Sequence, residues 1–209
     1  MSRRAMQISI LVIIFSASSL IINAQITASQ IVGFNFSTME MHVKNQSVDT
    51  EGSTGIHFGL LLPLTIVDHF SFQPGVMFTS KGSSYLIDSV NMSISPIYLE
   101  IPLNLELDLG TNAFSVALIA GTYFSCGVGG NKIESGGAAT DIFYGSGDSK
   151  DLRLMDFGIN LGAGIKIKGF LISARYGYGL ANLYPDDSDD TELNNRVIGI
   201  SLTSSFAGR

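Results

Sequence analysis

The 209-residue chain has no tryptophan, one cysteine and five prolines, and only 14% of its residues are charged. A lone Cys126 cannot form an internal disulfide, and it is far from any lipoprotein acylation position, so it is expected to pack as a small hydrophobe. Cations are also few. Twelve Lys and Arg against eighteen Asp and Glu give a formal charge of −6, which excludes the basic face that nucleic acid requires. The three histidines, His42, His57 and His69, form no His-Glu-x-x-His pattern and there are no paired cysteines, so zinc has no support. Gly127-Val128-Gly129-Gly130 and Gly145-Ser146-Gly147 precede no helical pattern and lack the Lys-Ser/Thr of a phosphate cradle; they read as loop glycines. No 3.6-residue pattern persists after residue 30. What remains is apolar: 45% hydrophobic residues and a mean hydropathy of +0.32 exclude a disordered chain and exceed the level of an ordinary soluble domain.

The N-terminus is set apart. Arg3 and Arg4 precede the apolar run Ile8–Ile22 and then Asn23-Ala24-Gln25, the arrangement of a Sec signal peptide cleaved after Ala24. The expected domains are therefore a leader over 1–24 and a single domain over 25–209. The alternative, an uncleaved anchor, falls short of the ~20 apolar residues a spanning helix needs. Ser2-Arg3-Arg4 faintly suggests a twin-arginine signal, but that route carries folded cargo, and the remainder reads as cargo that travels unfolded.

A period of two recurs along the rest of the chain. Ile97, Leu99, Ile101, Leu103, Leu105, Leu107 and Leu109 share one face, with Tyr98, Glu100, Pro102, Asn104, Glu106 and Asp108 on the other. On a helix those aliphatics would wrap all the way round; on a strand they make one apolar face. Residues 70–79 and 155–167 repeat the pattern. Eight strands are expected, over about 30–43, 54–64, 70–81, 94–107, 113–128, 152–166, 170–183 and 196–206. Short turns at Thr65–His69, Asp108–Asn112 and Ile167–Gly169 alternate with long loops at 44–53, 82–93, 129–151 and 184–195. That alternation predicts an all-β, eight-stranded antiparallel up-and-down transmembrane barrel, with both mature termini on the short-turn side. The face Ile97–Leu109, at ~3.3 Å per residue and a tilt of ~40°, covers a lipid band ~25 Å tall.

Charge sorts with this reading. The long loops carry four lysines, Lys81 at a strand edge among them, against twelve acids, which accounts for the whole mature charge of −8. Charges inside strands sit mainly opposite the large aliphatics: Glu100, Glu106, Asp156, Lys166 and Arg175. They are expected to point into the barrel, where Glu100 and Glu106 meet Lys166 and Arg175 in a polar network that fills the lumen. Glycines on the same face, such as Gly33, Gly59, Gly158 and Gly162, make room for them. The loop Gly129–Asp151 is expected to be the most mobile part.

Two segments carry a resemblance. Gln73-Pro74-Gly75-Val76-Met77-Phe78-Thr79-Ser80-Lys81-Gly82 and Tyr98-Leu99-Glu100-Ile101-Pro102-Leu103 resemble the third and fourth strands of the outer-membrane β-barrel domain family of Bacteroidota, the "porin family" or PorT-like proteins. Gly33-Phe34-Asn35-Phe36-Ser37 and the closing glycine-rich strands fit the same family, over roughly residues 25–206. The resemblance implies an eight-stranded outer-membrane barrel and implies no chemical activity; the barrel is expected in the outer membrane of a Gram-negative bacterium, with no cofactor. Many such barrels end on an aromatic, whereas here Phe206 is followed by Ala207-Gly208-Arg209.

The expected role is structural or interactive: a barrel in outer-membrane lipid, inserted by the barrel-assembly machinery, that displays acidic external loops to a protein partner. A PorT-like accessory of secretion or gliding machinery is a special case. One alternative is a narrow-pore transporter, although eight strands leave little room for water. Another is an enzyme acting on outer-membrane lipid, for which His57 is a lumen candidate without a visible partner. A third is a soluble lipid-binding barrel with its aliphatics inside; the aliphatics of residues 97–109 exceed what a small lumen holds. Asp186-Asp187-Ser188-Asp189-Asp190-Thr191-Glu192 lacks the register of a calcium loop and reads as a solvated acidic segment.

Overall fold

Strict alternation over a dozen residues extends the backbone and sends successive side chains to opposite faces. In the computed structural model the resulting sheet closes on itself. It describes residues 28–43, 46–48, 50–87, 90–111, 113–134, 137–147, 149–186 and 191–205. The strands are β1 (Ser29–Val43), β2 (Gln46–Val48), β3 (Thr50–Leu61), β4 (Leu64–Val67), β5 (Phe70–Ser80), β6 (Ser83–Ile87), β7 (Val90–Gly110), β8 (Phe114–Glu134), β9 (Thr140–Asp141), β10 (Met155–Ile167), β11 (Phe170–Gly179) and β12 (Thr191–Ser205). Eight of them make an antiparallel ring in the order β1, β3, β5, β7, β8, β10, β11, β12. The ring closes where β1 pairs with β12, from Ser29 opposite Ser205 to Val43 opposite Thr191. The short strands extend it: β2 on β1, β4 on β5, β6 between β3 and β7, and β9 on β8.

Several boundaries differ from expectation. The second strand stops at Leu61, and Leu64–Val67 pairs separately with β5, so the turn expected at Thr65–His69 narrows to Asp68–His69. Pro63 has no N–H for a ladder, and His69 takes a φ of 68° that lets the chain reverse in two residues. The loops expected at 44–53 and 82–93 instead hold β2, β6 and the first residues of β3 and β7, while β8 runs on to Glu134. The former loop segments are Ser-rich, and the apolar alternation of Val90, Met92 and Ile94 falls on the face opposite to that of Ile97–Leu109. They pair nonetheless, because a ladder needs only backbone groups. The strand expected to reach residue 183 ends at Gly179, and the last strand begins at Thr191, not at 196. The leader 1–24, residues 187–190 of the acidic segment and Phe206–Arg209 lie outside the described residues.

The turn between β10 and β11 is Lys168-Gly169, with φ values of 48° and 86°. Two successive positive φ angles give the mirror-image turn whose twist matches the flanking strands, and glycine at the second place adopts it without strain.

Each ring strand turns its large apolar side chains outward: Phe34, Phe58, Val76, Ile101, Leu118, Leu161, Ile172 and Ile200, one from each strand, are all exposed. In β7 the aliphatic face from Ile97 to Leu109 points away from the lumen, while Asn104 on the opposite face is 1% exposed. A continuous apolar belt of this kind is stable in lipid and not in water. β7 and β8, at 21 residues each, span roughly 70 Å at ~3.3 Å per residue. Even tilted by ~40° they overrun a ~25 Å lipid band, so this hairpin stands out from the long-loop end.

Candidate functional site

The candidate site is the lumen, where the inward halves of eight strands bring their polar side chains together. At the long-loop end Lys81 follows directly on β5. Its N–H donates to the Pro96 carbonyl at 3.1 Å, which fixes the entry of the side chain. The ammonium lies 2.9 Å from Asp156 Oδ2 and 3.2 Å from Glu100 Oε2. Two tyrosine rings flank it, Tyr123 with its centroid at 4.3 Å and Tyr98 at 5.1 Å. Ser125 donates to Glu100 at 3.1 Å, and the Asn195 amide donates to Asp156 at 2.8 Å. A register shift between Ile97 and Tyr98 against β8 accompanies the inward placement of Tyr98.

Deeper in the barrel a hydrogen-bonded strap crosses five neighbouring strands. The Asn35 amide NH2 donates to Thr79 Oγ1 at 2.8 Å and to the Ser80 carbonyl at 3.0 Å, so the Asn35 oxygen is left to accept. His57 Nδ1 donates to that oxygen at 2.8 Å, and Nε2 accepts the Ser201 hydroxyl at 2.8 Å. Arg175 completes the run by donating to Ser201 Oγ at 3.2 Å. Ser, His and Asn in this order are the parts of a nucleophilic triad. The adjoining cavity is about 40 Å³ and is lined by Asn35, His57, Asn160 and Arg175 among others. A water needs ~10–15 Å³ of such volume, so the space suits a few waters and not an acyl group. The backbone N–H groups around Ser201 sit in ladders with β1 and β11. These side chains join β5, β1, β3, β12 and β11.

At the short-turn end Lys166 bridges Glu106 at 2.7 Å and Asp108 at 2.6 Å. Below this pair the three tight turns frame an open vestibule of about 480 Å³. A small apolar cluster, Ile31, Leu61 and Met77, separates the two polar halves. Met77 borders the central cavity, and Leu61 borders a recess of about 50 Å³ beside Glu106.

The opposite end is capped. Met39, Ile94, Ile142, Leu152, Leu183 and Leu193 form a buried apolar cluster over the lumen. The described part of the loop expected to be most mobile is packed into that cap through Ile142, with Tyr144 against it. Tyr144 donates to the Gly129 carbonyl at 2.8 Å, and burial pushes its phenol above the ordinary range, which keeps it a neutral donor. Asp151 holds Lys132 and the Phe143 N–H.

The five residues singled out in the sequence all sit on the inner face of the ring. Lys166 meets Glu106 directly. Glu100 and Asp156 meet Lys81 instead of Lys166 or Arg175, and Arg175 reaches Ser201. Lys81, counted with the acidic loops, is in fact 4% exposed inside the barrel. A signal for it existed: Lys81 has the parity of Gln73, Met77 and Thr79, all lumen residues. Asp108 likewise has the parity of Glu106. His57 has partners after all, 22 and 144 residues away in sequence. Among the described residues no three His, Cys, Asp or Glu side chains gather as a metal site would require. Cys126 is half-buried and unbonded to another cysteine.

The model of a family described as "Outer membrane protein beta-barrel domain" matches residues 23–184. Among solved structures the chain is similar to Neisserial surface protein A, at 12% identity over 86% of this chain and 99% of that one, with a TM-score of 0.47. It is similar also to the outer membrane protein OprG from Pseudomonas aeruginosa, at 11% identity over 88% and 97%, TM-score 0.43. A third is Ail, the attachment invasion locus protein of Yersinia pestis, at 13% identity over 85% and 97%, TM-score 0.40. No curated protein matches the sequence.

Proposed function

Because the chain belongs to the outer membrane protein β-barrel domain family, we propose that it is a sealed, non-enzymatic barrel whose work is done at its ends. The barrel sits in outer-membrane lipid and places the long-loop surface outside the cell, with the short turns and both mature termini in the periplasm. Its insertion calls on the barrel-assembly machinery. Its acidic external loops, together with the projecting β7–β8 hairpin, present an interaction surface to a protein partner, as an accessory of the PorT-like kind would. The observation that carries this reading is closure of the lumen at successive depths. The apolar cap, the Lys81 cluster and the His57 strap all lie between the outside and the vestibule, and the cavity among them measures about 40 Å³. A narrow-pore transporter needs a continuous aqueous path, and the vestibule ends on Lys166.

Planar-bilayer recording of the purified full chain tests it. No conductance steps are expected. Steps that persist and respond to substitution of Lys81 would make the protein a channel and overturn the reading.

A further inference from the structure

The outward apolar face is not equally tall around the ring. On β10 it climbs from Ile167 to Met155, and on β8 it climbs to Val128. On β12 it stops at Ile198, on β1 at Phe36 and on β3 at Ile56. The next outward residues toward the long loops are Arg196, Thr38 and Thr54. Register puts these stops on a common scale. One row of paired residues runs Ile159, Tyr178, Arg196, Thr38 across β10, β11, β12 and β1. Neighbouring strands lie ~4.8 Å apart, so a tilt of ~40° shifts the row by at most ~3 Å in height per strand, or ~6 Å from Ile159 to Arg196. Met155 stands four residues above Ile159, ~10 Å higher at the same tilt. The charged Arg196 therefore lies below the level of the apolar Met155.

Arg196 is held on the outside of the wall, with the parity of Ile198 and Ile200. Its guanidinium lies 3.6 Å over the Tyr178 ring, donates to the Gly179 and Asn195 carbonyls at 2.9 and 3.0 Å, and pairs with the exposed Glu40. Thr38 shares a hydrogen bond of 2.9 Å with Thr50 beside it. An arginine on the outer face of a barrel is tolerated near the headgroups and not among acyl chains, and a tyrosine next to it belongs to the same zone. A bilayer meets a short apolar stretch by thinning, at modest cost. We propose that lipid headgroups of the leaflet at the long-loop end come down over β12, β1 and β3, so that the bilayer is thinner along the closing seam than over β8 and β10. Lipid is the occupant because this surface continues the belt: Phe36 and Ile198, directly below, are exposed apolar residues on the same strands.

The chain has no tryptophan, so a single introduced one reports its own surroundings. Four variants of the full chain, Met155→Trp, Val128→Trp, Thr38→Trp and Thr54→Trp, are refolded into phosphatidylcholine vesicles. The lipid is either plain or brominated near the headgroup end of one acyl chain. Brominated lipid is expected to quench Met155→Trp and Val128→Trp about threefold more strongly than Thr38→Trp and Thr54→Trp, and iodide in the water to quench in the reverse order. Each side carries two variants, so one that fails to refold leaves the comparison intact; heat-modified gel migration identifies it. Equal lipid quenching at the two sides would give the belt one height and overturn the proposal. Thr38→Trp and Thr54→Trp shielded from both quenchers would put protein on the seam, and that also overturns it. The closed-barrel reading stands or falls on conductance, which none of these outcomes measures.

Discussion

Lys81 is the residue on which most of the lumen depends. It stands between two carboxylates and two aromatic rings with almost no solvent contact. Removing one partner of a buried ion pair strands the others, at a cost of about 3–5 kcal/mol, while replacing the whole group with apolar residues is often neutral. Lys81→Met is therefore expected to lower the thermal unfolding midpoint sharply, and the triple change Lys81→Met, Glu100→Gln, Asp156→Asn to recover much of the loss, both read by heat-modified gel migration. Ser201→Ala removes the link between His57 and Arg175. It is expected to weaken the barrel modestly and to leave the mass spectrum of outer-membrane lipids unchanged; an altered lipid spectrum would reopen the enzymatic alternative. Gly33 works by absence. A Cβ there would lie 2.6 Å from the His57 ring and 2.1 Å from the Ile200 carbonyl, so Gly33→Ala is expected to destabilise by about 1–3 kcal/mol. At this scale the sequence told only part of the story. Parity named Glu100, Glu106, Asp156, Lys166 and Arg175 as inward, because alternation carries facing information. It did not name their partners, because pairing depends on strand tilt and register around a closed ring, and these put Ser201 beside His57 across the seam between the last strand and the first.

Among the elements, the ring strands were legible where lipid imposes a pattern, and less so elsewhere. The apolar alternation of 97–109 and 155–167 marks β7 and β10 because one face must be greasy over the width of the bilayer. Past that width, in β6, the start of β7 and the end of β8, the outward apolar period lapses, and their pairing rests on backbone groups with Ser84 donating to Ser93 across β6 and β7. The cap was hidden for another reason: Met39, Leu152 and Leu183 come from distant segments and form a core only once the ring has closed. Leu183 is fully buried there, and Leu183→Ala is expected to cost about 2–5 kcal/mol while the belt of the barrel remains intact. Limited proteolysis of the long-loop end, with the β-barrel fragment surviving, would check it.

For the molecule as a whole, the decisive property is which side of the sheet meets lipid. Leu161 lies in the outward belt at 58% exposure, and a charge there near mid-membrane carries about 2–4 kcal/mol of penalty. Leu161→Arg is expected to impair folding into bilayers, whereas Asn160→Ser on the neighbouring inward position is expected to be tolerated; refolding yield into vesicles separates the two. Because His57 and Ser201 clasp the seam formed by β1 and β12, the first and last ring strands in the chain, the inner strap can exist only after the final strand arrives. Synthesis order and closure order are thereby tied together: a chain ending before its last strand would offer His57 no Ser201 and β1 no ladder partner, so the inner strap and the seam are completed by the same final strand.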